Sequence, residues 1–430
     1  MANDRIKAEV LGIAQAARRA SVELGQAGIE ERNRALRAMA AALRENASGI
    51  VEANGKDMDA ARAAGTKDSL LDRLMLDEGR VDDMAAALED LVALPDPLGK
   101  VQEQRDLYNG IHLQRVSVPL GVVAVVYEAR PNVTADAAGI ALKSGNACVL
   151  RGGSMAARSN AAISKVLHDA AVEAGMPAGC IGSIASTDRA ATDELMQLHG
   201  IVDVLIPRGG AGLIRHCVEC SKVPVIETGT GNCHVYVHAS ADLAKAVAII
   251  ENAKCRRYGV CNAAETLLVD ASVAEGFLPL AFAALAPHGV KLHCDETAFR
   301  IAERMAQEGA DLKFCRADER DWETEYLAPE LAVRCVGGID EAIEHINRYG
   351  TCHSEAIVAE DQAACERFLA RVDAAAVYAN ASTAFTDGGQ FGMGAEIGIS
   401  TQKLHARGPF ALRALTSYKY VLRGDGQVRA

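Results

Sequence analysis

Cys261 lies two residues beyond Gly259, which is placed to end a long helical segment, so its thiol belongs to a loop and not to a packed helix face. Lys254, Arg256 and Arg257 stand close by in sequence, and cations favour a thiolate that an isolated cysteine forms only near pH ~8.5. A loop thiolate is what covalent catalysis at a carbonyl requires; the other reading is a small buried hydrophobe, the common fate of cysteine outside disulfides. Asn132 follows the apolar run Val122 to Tyr127 and the Arg130-Pro131 punctuation. That sets an amide beyond a strand's carboxyl end, where it either caps a helix or donates to a developing oxyanion.

The remaining signals are weaker. Cys217 and Cys220 form CVEC, but the segment reads as helix and no second pair stands at metal-ligand spacing, so packing is favoured and no metal is expected. Cys233-His234 falls in a strand, where successive side chains face opposite ways, and reads as structural. The glycine loops Arg151-Gly152-Gly153-Ser154 and Arg208-Gly209-Gly210 are either ordinary turns or helix-opening anion sites with outward N–H groups. Neither RGGAGLIR nor ETGTGNCH completes G-x-G-x-x-G, because Arg215 and His234 hold the last position.

The elements that must position these residues are legible in outline. The chain has 430 residues, half of them apolar, with 45 Lys+Arg against 57 Asp+Glu and a net charge of −12. This is a globular balance of two or three domains. Its acidity excludes nucleic acid as the main partner and leaves anionic ligands to local groups. Twelve cysteines scattered from Cys148 to Cys365, and charges at Asp4, Arg5, Lys7 and Glu9 where a signal peptide is apolar, point to a reducing cytoplasm. The longest apolar runs, Leu120 to Tyr127 and Phe277 to Ala286, fall short of the ~18 residues of a membrane span.

Amphipathic helices fill Ile6 to Leu94, and Asn109-Gly110 marks a hairpin. Strands Val122 to Tyr127, Ala147 to Leu150, Cys180 to Ile184 and Val202 to Ile206 then alternate with helices, the second opening at Ser154 as N-cap and closing at Gly175. The alternation implies a parallel sheet with ligand-binding loops beyond its carboxyl edge. A second series follows: strand Cys233 to Val237, helix Asp242 to Arg257, strand Thr266 to Val269, helix Val273 to Leu285, helix Asp340 to Asn347 and strand Glu355 to Val358. A glycine-rich tail ends in the strand Tyr418 to Leu422.

In order, PLGVV (119 to 123), EARPN (128 to 132), LKSGNACVLRGGS (142 to 154), IPRGG (206 to 210), ETGTGN (227 to 232), GVCNAAETLLV (259 to 269) and FTDGGQFGMGAEIGISTQKLHARGP (385 to 409) strongly resemble the glutamate-5-semialdehyde dehydrogenases, or gamma-glutamyl phosphate reductases, a branch of the aldehyde dehydrogenase superfamily. The likeness covers almost the whole chain. It implies an aldehyde dehydrogenase-like α/β fold of two doubly wound domains plus a small bridging β-element. The expected divisions are an NADP-binding domain (1–105, 122–228 and 386–412), a catalytic domain carrying Cys261 (229–385), and a bridging, oligomerising element (106–121 with 413–430).

The resemblance also implies NADPH-dependent reduction of L-glutamyl 5-phosphate to the semialdehyde, with release of phosphate, in proline biosynthesis. Position by position, Cys261 matches the nucleophile, Asn132 the oxyanion-stabilising amide, Arg151 a ribose-binding lysine, and Glu330, in LAPELAV, the glutamate that holds the nicotinamide ribose. Gly152, Ser154, Arg208, Gly209 and Gly210 are the further cofactor-loop residues, and Arg151 and Arg208 the candidates for a 2′-phosphate. In STQKLHAR, Lys403, His405 and Arg407 offer cations for the substrate's anions, Lys403 and Arg407 foremost. IPRGG departs from the family's usual F-T-G-S-like turn, so the pyrophosphate contact is expected to differ. Glu227 matches the water-activating glutamate of aldehyde oxidisers, the alternative activity, a role that an acyl-phosphate reductase does not need. A homo-oligomer, and functional coupling to a separate glutamate 5-kinase, complete the expectations.

Overall fold

The computed structural model describes residues 2–429. The chain divides into two compact units, Met1–Thr228 with Gly392–Gly398 and Phe410–Ala430, and Gly229–Phe391 with Ile399–Pro409. The first carries strands β1 (Val101–Asp106), β2 (His112–Pro119), β3 (Val122–Tyr127), β4 (Ala147–Gly152), β5 (Ile181–Ser183) and β6 (Val204–Arg208). The second carries β7 (Cys233–Val237), β8 (Ala264–Asp270), β9 (Lys291–Cys294), β10 (Lys313–Arg316), β11 (Glu330–Val336), β12 (Ser354–Val358) and β13 (Ala376–Ala379). A short ribbon of β14 (Gly398–Ser400) and β15 (Gly408–Phe410) follows, and β16 (Thr416–Arg423) ends the series.

In the first unit the three- and four-residue apolar spacing produces five helices between Ala2 and Ala93, and Leu36, Met39 and Leu43 lie on the buried face of one of them. Asp77 starts the last of the five by accepting the Arg80 N–H. At Asn109-Gly110 the chain turns with Gly110 at φ +82°, and β1 and β2 pair antiparallel on either side. β16 adds to the far edge of β2, making a three-stranded sheet of order β1-β2-β16. The parallel sheet has the order β5-β4-β3-β6. The second helix of this series differs from expectation at its start: Ser154 opens a 3-10 turn with no side-chain cap, and the α-helix proper runs Ala157–Glu173.

The second unit is built on a seven-stranded parallel sheet, order β10-β9-β11-β8-β7-β12-β13. Alternate side chains serve opposite layers: Val235 and Val237 pack with Phe277 and Phe282 on one face, Tyr236 with Ile346 and Phe368 on the other. Each such side chain taken from water contributes roughly 1.5–3 kcal/mol, which fixes the strands whose ends carry the chemistry. The sequence did not disclose β9, β10, β11 and β13. β9, β10 and β13, at four residues each, span too little chain for a period-2 pattern to register, and KLHC and KFCR read as polar; β11 is seven residues long, but Arg334 interrupts the apolar run of ELAVRCV. No helix among the described residues is long and apolar enough to cross a membrane.

Candidate functional site

In the first unit β3 and β6 are neighbours, while the chain proceeds from β3 through β4 and β5 to the other side. The strand order therefore reverses between β3 and β6, and the crevice beyond their carboxyl ends is where a doubly wound sheet takes its ligand. The residues there are Glu128 to Asn132 and Arg208 to Gly210. Glu128 ties the two loops together: its N–H donates to the Arg208 carbonyl at 3.1 Å, and its carboxylate accepts the Gly210 N–H at 3.0 Å. A Cβ on Gly209 would lie 2.6 Å from that carboxyl group, so glycine is what lets the acid approach. The helix Ala211–Cys220 thus already has an anion at its N-terminus, supplied by the chain itself. As to the two readings of 208–210, the Gly210 N–H is engaged by the chain itself.

Asn132 is the first residue of the helix Asn132–Lys143, exposed at its end, with Pro131 in the cap position. It is not a helix cap. Its Nδ2 donates to Asp136 Oδ2, one turn on, at 3.0 Å, which orients the amide and leaves it a second N–H. Burial pushes the Asp136 carboxyl up to about 6, against the opposing pull of the Asn132 amide and the Arg208 charge.

Arg151 is buried in β4, and its Nη2 donates to the carbonyls of Thr187 and Asp188, both at 2.9 Å. Beside it a cleft of about 330 Å³ is lined by Gly152, Asn160, Ser164, Ser183 and Thr187 among others. Asn160 Nδ2 and Ser164 Oγ are buried there without a hydrogen-bond partner among the described residues. Ser154 is exposed at the mouth of the following turn.

In the second unit Cys261 sits half-buried in the turn joining the helix Leu243–Cys255 to β8. Its loop is fastened at both ends. Lys254, in the last helical turn, is fully buried and bonded to the buried Glu265 of β8 at 2.5 Å. Burial pushes Glu265 up to about 7 and Lys254 down, each opposed by the other's charge. The expectation that Lys254 supports a Cys261 thiolate is corrected accordingly: that ammonium is spent on Glu265. The residue after the nucleophile is clamped as well, Asn262 Nδ2 donating to Thr386 O at 3.0 Å and Thr383 Oγ1 donating to Asn262 O at 2.8 Å.

Two acids flank Tyr326–Pro329, and the structure separates them. Glu330, the sequence candidate, begins β11 with its carboxylate 2.7 Å from His293 Nε2 and 3.6 Å from Lys291 Nζ. Glu325 Oε1 accepts the Gly231 N–H at 2.7 Å, and Gly231 lies against the Cys261 backbone so closely that a Cβ would stand 1.5 Å from the Cys261 oxygen. The acid beside the candidate nucleophile is therefore Glu325, which the sequence reading passed over. The signal available was only that both glutamates border the same apolar motif.

Lys403 and Arg407 both reach the Asp373 carboxylate, each at 2.7 Å, and hold it below the usual carboxylate range. The cluster carries one net positive charge where two free cations were expected, and the buried Arg407 Nε has no partner among the described residues. Cys217 and Cys220 lie on one helix, as expected, and no metal-binding cluster occurs among the described residues.

The chain is similar to known proteins over nearly its whole length. The model of the aldehyde dehydrogenase family matches residues 3–298 and 312–421. The gamma-glutamyl phosphate reductase of Moorella thermoacetica is 54% identical over 422 residues, 98% of this chain and 99% of that one. That of Thermobifida fusca is 49% identical over 424 residues, covering 99% of each. The crystal structure of the Thermotoga maritima gamma-glutamyl phosphate reductase superposes with a TM-score of 0.94 at 46% identity, over 98% of this chain and 100% of that one.

Proposed function

Since the chain belongs to the aldehyde dehydrogenase family, in the branch of the gamma-glutamyl phosphate reductases, we propose that it reduces L-glutamyl 5-phosphate to L-glutamate 5-semialdehyde, releasing phosphate, as a step of proline biosynthesis. The observation that carries this reading is Cys261 in a fastened loop beside Glu325, in a chain about half identical to those reductases.

The Cys261 thiolate attacks the acyl carbon of the acyl phosphate, forming a C–S bond while the carbonyl oxygen takes up negative charge. The Cys261 backbone N–H serves that oxyanion from the nucleophile's own loop, and the family resemblance gives the same role to the Asn132 amide, which Asp136 orients. Collapse breaks the bond to the phosphate oxygen, which leaves with the electron pair, and a thioester remains on Cys261. The chemistry that a bound nicotinamide coenzyme supplies is the hydride that takes the thioester to the aldehyde level. Departure of the aldehyde returns Cys261 to its thiolate.

The first unit suits such a coenzyme. It offers a crevice at the reversal of strand order with Arg208, Gly209 and Gly210 around it, and Arg151, Gly152 and Ser154 beside a cleft holding orphaned buried donors. Arg208 is the group for a phosphate, and the form of the coenzyme is NADPH. Glu128 has to yield the Gly210 N–H if the pyrophosphate is to use it. The substrate's anions fall to Arg407 and Lys403 through the net charge of their cluster with Asp373. Absence of a disulfide among the described residues, despite twelve cysteines, supports a cytoplasmic setting.

The test is the rate of NADP⁺ reduction with glutamate-5-semialdehyde, with and without inorganic phosphate. Wild type is expected to require phosphate, and Cys261→Ala to lose about a thousandfold or more in kcat. Phosphate-independent oxidation would replace this reading with a hydrolytic aldehyde dehydrogenase that uses Glu227.

A further inference from the structure

The carbonyl of Cys261 has a dedicated partner. Two positions beyond Gly231, Cys233 opens β7 fully buried, and its Sγ donates to that carbonyl at 3.1 Å. The sulfur keeps its hydrogen, because burial pushes this thiol well above the ordinary cysteine range.

A chain of buried polar groups stands behind it. His353 Nδ1 lies 3.6 Å from Cys233 Sγ and 2.7 Å from Ser354 Oγ. Ser354 Oγ donates to Thr386 Oγ1 at 2.6 Å, and Tyr378 shares the same hydroxyl at 2.7 Å. Since the single hydrogen of Ser354 goes to Thr386, the hydrogen between His353 and Ser354 belongs to Nδ1. His353 Nδ1 therefore carries a hydrogen that it gives to Ser354 and has no lone pair to accept the Cys233 S–H, and burial holds the ring neutral by lowering its pKa to about 4. Its Nε2 is buried without a partner among the described residues, as suits a bare nitrogen. With no acceptor behind it, the Cys233 hydrogen is directed forward to the Cys261 carbonyl. The Thr386 backbone carbonyl accepts the Asn262 side-chain amide and the Thr383 hydroxyl donates to the Asn262 carbonyl, so the residues on both sides of the Cys261–Asn262 peptide are held.

We propose that Cys233 is a positioning residue for Cys261: its thiol holds the carbonyl of the nucleophile and so aims the reacting sulfur, while forming no bond to substrate itself. The proposal rests on Cys261 being the nucleophile. Misplacing a reacting group by even ~1 Å costs up to about 10²-fold in rate.

Cys233→Ser retains a donor and Cys233→Ala does not. For each, kcat, both KM values, the thermal midpoint and the rate at which iodoacetamide alkylates Cys261, read by peptide mass spectrometry, are to be compared with wild type. Cys233→Ala is expected to lose about tenfold in kcat and to alkylate more slowly with KM nearly unchanged, and Cys233→Ser to recover most of the loss. Full kcat in Cys233→Ala, or equal impairment of the two variants, overturns the proposal. Should Cys233→Ala not fold, Ser354→Ala decides: it removes the acceptor that sets the His353 tautomer, so a partial kcat loss at constant KM supports the relay and unchanged kcat refutes it. Activity surviving in Cys261→Ala would instead refute the nucleophile, a failure distinct from that of the positioning.

Discussion

At the scale of single residues, the sharpest consequence concerns the two glutamates five positions apart. Glu325 receives the N–H of Gly231, whose backbone abuts Cys261, whereas Glu330 faces His293 and Lys291 at the head of β11. A hydrogen bond to a charged group is worth about 1.5–3 kcal/mol, or roughly ten- to a hundredfold in rate. Glu325→Gln is therefore expected to lower kcat/KM by that factor and Glu330→Gln to leave it nearly unchanged; steady-state kinetics showing the larger deficit in Glu330→Gln would reverse the assignment. The sequence reading named only Glu330, for the nicotinamide ribose, and passed Glu325 over, because burial and partners across strands, and not distance along the chain, decide which acid reaches the loop. Asp136 supplies a pH test. Its folded pKa, about 6, lies above the ordinary aspartate value, so its stabilising contribution is complete at low pH and is lost as pH rises through about 6. Asp136→Asn, which cannot ionise, should melt higher than wild type above pH 6 and lose that advantage near pH 4. A difference in melting temperature independent of pH would show that Asp136 does not titrate in this way.

At the scale of elements, the joint between a helix and a strand governs the nucleophile loop. Lys254 follows Ala246 and Ile250 at four-residue spacing and so lies on the buried face of its helix, where Glu265 meets it from the first turn of chain in β8. Read along the sequence alone, Lys254 is merely a cation near a cysteine; the helical period was visible, but its partner eleven residues on was not. Removing one member of a buried pair leaves an uncompensated charge and costs about 3–5 kcal/mol, while replacing both with apolar groups can be neutral or better. Lys254→Met should therefore destabilise by that amount in urea unfolding, and Lys254→Met combined with Glu265→Leu should recover most of it. If the double variant were as unstable as the sum of the single ones, the pair would not be the staple described. Most of the long alternating elements were legible because their periods repeat, though β11 and the helix Glu296–Gln307 were not read; the four-residue strands were not legible, since they gain their identity from the neighbours they pair with.

At the scale of the whole molecule, the three-stranded sheet joins a hairpin near residue 110 to a strand some three hundred residues later, with β16 aligned residue for residue on β2 from Thr416 opposite Pro119 to Arg423 opposite His112. The hairpin was plain from Asn109-Gly110, and the apolar tail strand was visible, but only family resemblance connected them, because register between distant strands leaves no local trace. On β16, Tyr418, Tyr420 and Leu422 alternate onto one face and stay half exposed, at 50%, 51% and 53%. The two tyrosine rings sit 5.7 Å apart, and Arg115 lies over Tyr418. An apolar stripe on an edge strand, paired with β2 on one side only, is costly to leave in water and invites pairing with another chain. A second copy of this chain is the proposed occupant, in keeping with the expected homo-oligomer. Tyr418→Ser, Tyr420→Lys and Leu422→Lys together should shift the sedimenting species from a multimer to the 45.3 kDa chain. Because the stripe is already exposed in the single chain, its loss should change the melting temperature only through the lost assembly, making the wild-type midpoint concentration-dependent and the variant's not. A triple variant that sediments at the wild-type mass would place the interface elsewhere.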